Sequence, residues 1–157
     1  MKRRSMLSWS DFGKAAPELA AAARRLLVGA DGVAIGFLAT MGERAPHLSP
    51  VCPVFSGVDL YVVAPERRPK ARDLRERASF VLHAFLAAND EEFQIGGRAQ
   101  EVLAAAERAQ VQADIRFASF GREDPIFRLG IERALWVSWE RVGKPDTRAV
   151  QKRWRAP

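Results

Sequence analysis

Residues 33–64 read VAIGFLATMGERAPHLSPVCPVFSGVDLYVVA. Three runs rich in strand formers, residues 33–40, 46–55 and 60–64, are separated by a polar connection over 41–45 and a Ser56-Gly57 turn. Short strands in quick succession favour antiparallel pairing. In the first run Val33, Ile35 and Phe37 alternate with Ala34, Gly36 and Leu38, giving two faces. The second run carries Pro46, Pro50 and Pro53. Proline has no N–H for a ladder, so this run belongs at an edge, a bulge or an opening. Its alternation puts His47, Ser49, Val51 and Phe55 on one face.

Working outward, residues 17–28 read as a helix with proline in its first turn and Leu19, Ala22, Ala23, Leu26 and Leu27 on one side. Residues 69–77 read as a short helix, 80–86 as a strand, and 92–103 as a long strand whose Gly96-Gly97 pair predicts a bulge, a sharp bend or a close backbone approach. An alanine-rich helix over 104–117 and a loop over 119–125 lead to a last strand centred on 134–142. From about residue 143 a basic tail runs to the end. The order predicts a mainly β fold with peripheral helices, a six-stranded antiparallel split β-barrel in one domain over 1–157.

The bulk properties narrow the function. A chain of 157 residues buries roughly 70% of its unfolded surface and needs no staple. Cys52 is the single cysteine, which excludes an internal disulfide framework and a multi-cysteine metal site and fits a reducing cytoplasm. No apolar run reaches the ~20 residues of a membrane span, and residues 1–10 lack the apolar stretch of a secretory signal. The net charge of +6, from 25 Lys+Arg against 19 Asp+Glu, admits a nucleic acid, an anionic ligand or simply a basic surface. Much of the excess lies in Lys2, Arg3 and Arg4 at one end and Arg148, Lys152, Arg153 and Arg155 at the other.

One cationic cluster lies mid-chain. Residues 65–75 (PERRPKARDLR) place Arg67, Arg68, Lys70, Arg72 and Arg75 around a helix start. The N-terminal end of a helix is already electropositive, so cations there are unfavourable unless an anion joins them. The competing reading is a solvated turn whose charge Asp73 and Glu76 partly balance.

Set in order, GFLAT (36–40), PHLSPV (46–51), LYV (60–62), PKARDL (69–74) and EFQIGGRA (92–99) resemble the pyridoxamine 5′-phosphate oxidase-like flavin-binding proteins. The resemblance spans roughly residues 12–142. It implies a split barrel, a homodimer, and FMN sites at the dimer interface. It implies that the second strand, His47, Leu48, Ser49, Pro50 and Val51, runs along the isoalloxazine. Lys70 is then the phosphate ligand, with Arg67 and Arg72 in support. Relatives that bind deazaflavin or heme share the barrel and stand as alternative cofactors.

The sequence departs from the founding enzyme of that family in two places. The arginine, serine and histidine that hold its substrate phosphate have no counterpart, with no histidine after His83, so a different substrate is implied. His47 stands where many relatives have arginine. The implied activity is a flavin-dependent oxidoreductase with no assigned catalytic acid or base; a non-catalytic flavin or heme sensor or storage protein is the alternative. His83, inside an apolar strand, is expected to be a hydrogen-bonded core residue. No metal site is expected from two histidines and one cysteine. Trp136, Trp139 and Trp154 are candidates for ring stacking or for the core. No nucleophile elbow, phosphate loop or dinucleotide fingerprint is present.

Overall fold

In the computed structural model, residues 6–117 and 120–157 are described. Lys2, Arg3, Arg4 and Ser119 lie outside the described residues. The chain begins with two helices, α1 (Trp9–Ala15) and α2 (Pro17–Leu27). Strands β1 (Gly36–Met41), β2 (Pro46–Val51), β3 (Val54–Ser56) and β4 (Asp59–Val63) follow, then helix α3 (Pro69–Glu76). Next come β5 (Ser79–Ala84), β6 (Glu92–Glu101), helix α4 (Ala105–Asp114), β7 (Ile126–Glu140) and β8 (Arg148–Arg155). All strands join one sheet in the order β2-β1-β5-β6-β7-β4-β3, with β8 added to β7, and every pairing is antiparallel.

The sheet curls into a half-barrel around an apolar interior. Leu38, Phe80, Leu82, Phe93, Ile95, Phe127 and Leu129 are almost wholly removed from water, each contributing about 1.5–3 kcal/mol. Helices α1 and α2 close the interior with Phe12, Ala23 and Leu27. Helix α1 was absent from the sequence reading. Its signal was local: Ser8 caps it by accepting from the Asp11 N–H at 3.0 Å, which satisfies one of the helix's unpaired donors.

The fold class matches the expectation, and the strands divide differently in two places. The proline-bearing run over 46–55 breaks at Cys52-Pro53, because Pro53 can donate to neither neighbour. Its halves, β2 and β3, end up at opposite ends of the sheet order. The basic tail is also not a pendant. Residues 148–155 pair with the second half of β7, from Arg133↔Arg155 to Glu140↔Arg148. Trp154 packs edge-on against Phe12, ring centroids 5.0 Å apart.

The Gly96-Gly97 bulge is where the sequence placed it. The register of β6 against β7 slips between Gly96 and Gly97, leaving Glu132 as the extra residue. A Cβ on Gly97 would lie 2.0 Å from the Gly130 carbonyl oxygen, so only glycine allows the two backbones this close.

Candidate functional site

Two elements meet at one corner of the barrel. The first is β2, a terminal strand paired on one side only. Opposite Thr40, Leu38 and Gly36 stand His47, Ser49 and Val51, and the burial of those β1 residues marks this as the inward face. Leu48 and Pro50 point outward, in register with Ala39 and Phe37.

The second element is α3. Pro69 occupies its first turn, and Arg68 at the N-cap supplies no side-chain cap. No acid lies in that turn. Arg75 is consumed by Glu66 and Glu101, and Arg77 by Glu76. Arg67, Arg68, Lys70 and Arg72 make no ion pair with any described residue. Arg72 still acts on the Asp73 carboxylate, which leaves Arg67, Arg68 and Lys70 as the cations without an acidic neighbour where the helix already presents its positive end.

The cations divide into two groups. Arg67, Arg68 and Arg72 line an open groove of about 390 Å³. Lys70 does not line it. It is half-buried, and burial holds its ammonium below the ordinary lysine range, with Arg68 adding to the effect and Cys52 opposing it. Burial likewise pushes the Cys52 thiol up, helped by Asp31 and opposed by Lys70.

Asp73, which the competing reading used to balance part of the cationic charge, directs its hydrogen bonds elsewhere, although Arg72 still helps to lower its carboxyl. It is buried, and its Oδ2 takes a hydrogen bond from Thr40 Oγ1 at 2.8 Å and lies 2.6 Å from His47 Nδ1. Burial pushes its carboxyl up, but the His47 and Thr40 hydrogen bonds outweigh this and hold it below the ordinary range. Oδ1 of Asp73 is buried with no partner among the described residues, an uncommon state for a polar atom. Thr40 and Asp73 were missed as site residues. The inward alternation of β1 and the apolar face of α3, Ala71 and Leu74, were the available signals.

The remaining candidates fall elsewhere. His83 is not in the core: it sits on the outward face, half-buried, with Nδ1 2.5 Å from the Ala84 carbonyl oxygen and Nε2 3.8 Å from Glu92. Odd positions of β5 face outward because Phe80, Leu82 and Ala84 fill the interior. Trp136 Nε1 donates to the buried Glu91 at 2.6 Å, and Trp139 Nε1 to the Asp90 carbonyl at 3.1 Å. Arg25 completes the Glu91 cluster and is the main reason its carboxyl is lowered to about 2. None of these residues reaches the β2–α3 corner. Among the described residues no helix is long and apolar enough to cross a membrane.

No family model and no curated protein matches the chain. Solved structures do. The chain resembles a protein related to general stress protein 26, of the pyridoxinephosphate oxidase family, from Clostridium acetobutylicum, at 11% identity and TM-score 0.58 over 93% of this chain and 95% of that one. It resembles an FAD-binding protein from Mesorhizobium loti at 15% identity and TM-score 0.55 over 73% and 90%. A heme-binding protein from Mycobacterium smegmatis matches at 18% identity and TM-score 0.57, over 84% of this chain and 57% of the longer one. At these identities the likeness establishes the fold: the split barrel of the pyridoxamine 5′-phosphate oxidase-like proteins.

Proposed function

We propose that this chain binds FMN at the β2–α3 corner, as a homodimer, and uses it in an oxidoreductase reaction on a substrate other than pyridoxamine phosphate. The observation that carries this reading is the cluster of cations at the start of α3, of which Arg67, Arg68 and Lys70 have no acidic partner among the described residues, beside a strand with a free edge. A phosphate supplies the missing negative charge, and backbone N–H groups at the helix start add donors. Arg67 and Arg72, which line the groove, and Lys70 would hold it. Because Lys70 is partly desolvated, its attraction to a phosphate is less screened than that of a surface lysine.

The residues fit the flavin's other end as well. The free edge of β2 leaves backbone donors and acceptors over 47–51 that must find partners, and the rim of an isoalloxazine offers both kinds. Ser49, on the inward face, adds a hydroxyl. His47 is tethered by Asp73 and so holds one orientation beside the ring. The bound flavin would supply the electron chemistry; the chain supplies binding, orientation and electrostatic tuning.

A second copy has a surface to meet. Leu48 (67% exposed), Leu86 (62%), Phe37 (38%) and Phe85 (37%) belong to β2, β1 and the segment just after β5. The Phe37 and Phe85 rings are 4.6 Å apart. Exposed apolar side chains of this kind support the reading of an interface with a second copy.

The second reading, a heme- or flavin-binding protein without turnover, is favoured by the resemblance to the heme-binding protein. One experiment separates these readings: an absorbance spectrum of the purified protein with mass spectrometry of whatever copurifies. FMN with its yellow absorbance supports the proposal, a Soret band supports heme, and a deazaflavin mass supports that variant. Flavin that is never reduced by NAD(P)H or by any substrate tried would favour storage or sensing.

A further inference from the structure

The outward face of β6, β7 and β8 carries a second concentration of positive charge. The strand registers set two rows side by side: Gly96–Arg133–Arg155 and Gln94–Leu135–Arg153. Arg133 and Arg155 are direct cross-strand neighbours, and like charges in that position destabilise a strand pair. Arg153 stands on the diagonal. None of the three makes an ion pair with a described Asp or Glu; Arg153 donates to Gln151 Oε1, at 2.7 Å.

Neighbouring cations are treated differently. On the same strand Arg148 pairs with Glu140 at 2.7 Å and Lys152 with Glu18 at 2.5 Å. On the same face Glu92 is engaged by His83. Three guanidinium groups of this face, Arg133, Arg153 and Arg155, are left facing one another across two strands. They line a groove of about 250 Å³ whose wall includes Gln94 and Leu135. Gly96 makes room for the Arg133 guanidinium, whose carbon would lie 2.7 Å from a Cβ at that position.

We propose that this groove binds the carboxylate or phosphate of a small organic anion. Arg133 and Arg155 fork the oxyanion, Arg153 adds a third cation, Leu135 lies under the organic body and the Gln94 amide offers a neutral contact. Planar guanidinium forks suit such oxyanions better than point charges do. The groove shares no residue with the β2–α3 corner, so it stands whether or not FMN binds there.

The test uses the full-length protein, titrated with inorganic phosphate and with benzoate by calorimetry and thermal unfolding, ionic strength being held constant with sodium chloride. Saturable binding of either anion is expected, with a raised unfolding midpoint, over and above any phosphate held at the start of α3. Phosphate alone would identify the ligand class as phosphates, benzoate alone as carboxylates. Arg133→Gln and Arg155→Gln should each weaken binding by about tenfold or more, while Arg155→Lys, keeping the charge but losing the fork, weakens it less. Without ligand neither Gln variant should unfold earlier than the parent, since each relieves repulsion. Lys70→Ala should leave this binding unchanged. The proposal is overturned if neither anion binds, if the Arg133→Gln/Arg155→Gln double variant binds as the parent does, or if only a DNA oligonucleotide binds.

Discussion

His47 Nδ1 stands 2.6 Å from Oδ2 of Asp73, tying the free-edge strand β2 to helix α3 through a buried carboxylate. Since Asp73 also accepts from Thr40, β1, β2 and α3 meet at one oxygen. A carboxyl whose folded pKa is depressed adds stability that is fully present above its unfolded pKa and is lost as pH falls through the folded one. Asp73 is such a group, its hydrogen bonds outweighing burial. His47→Ala removes the chief lowering contact. The variant should lose about 1–3 kcal/mol at pH 7, and the deficit should shrink as the pH drops below about 4. Urea midpoints at both pH values measure this. A deficit independent of pH would remove Asp73 from the explanation.

The bulge sets the second expectation. Gly97→Ala would force a Cβ to 2.0 Å from the Gly130 carbonyl oxygen, which is backbone and cannot swing aside. A loss of about 1–3 kcal/mol or more is expected, seen as a lowered unfolding midpoint. An unchanged midpoint would mean that β6 and β7 are not in this register.

The C-terminal strand supplies a third. Trp154 covers Phe12, which has no exposure of its own. Trp154→Ala should cost about 2–3 kcal/mol, somewhat less than a wholly buried tryptophan because Trp154 is half-buried. Arg148→Ala, an exposed ion-pair partner of Glu140, should cost no more than about 1 kcal/mol. Equal effects from the two would argue against β8 as part of the barrel wall.

The fourth concerns assembly. Phe37→Asp puts a charge in the middle of the exposed apolar strip, where burying it unpaired is prohibitive. Sedimentation should show a dimer for the parent protein and a monomer for the variant. A monomeric parent would leave that strip without its proposed partner.

Most of the barrel was legible because its strands carry strong local signals. The glycine pair at 96–97 announced the bulge, and the prolines at 46, 50 and 53 announced an edge. Less visible was where the edge run breaks, since Cys52-Pro53 separates two strands that lie far apart in the sheet order. Strand β8 was hidden by composition: RAVQKRWR has one strongly apolar anchor, Trp154, and its pairing is decided by β7. At the site, PKARDL marked the cations but not the hydrogen bonds of Asp73. Its partners Thr40 and His47 are 33 and 26 residues away, a separation no local pattern reveals. The facing pair Arg133 and Arg155 was likewise plain surface charge until the register brought the two together.

The central proposal is tested most directly by titrating FMN into the full-length protein and its Lys70→Ala variant, following quenching of flavin fluorescence. Loss of one charge-assisted phosphate contact, about 1.5–3 kcal/mol, should weaken binding by roughly 10- to 100-fold in a variant that still unfolds cooperatively. A parent protein that leaves FMN fluorescence unchanged, or a variant that binds as tightly as the parent, would contradict a phosphate held at the start of α3.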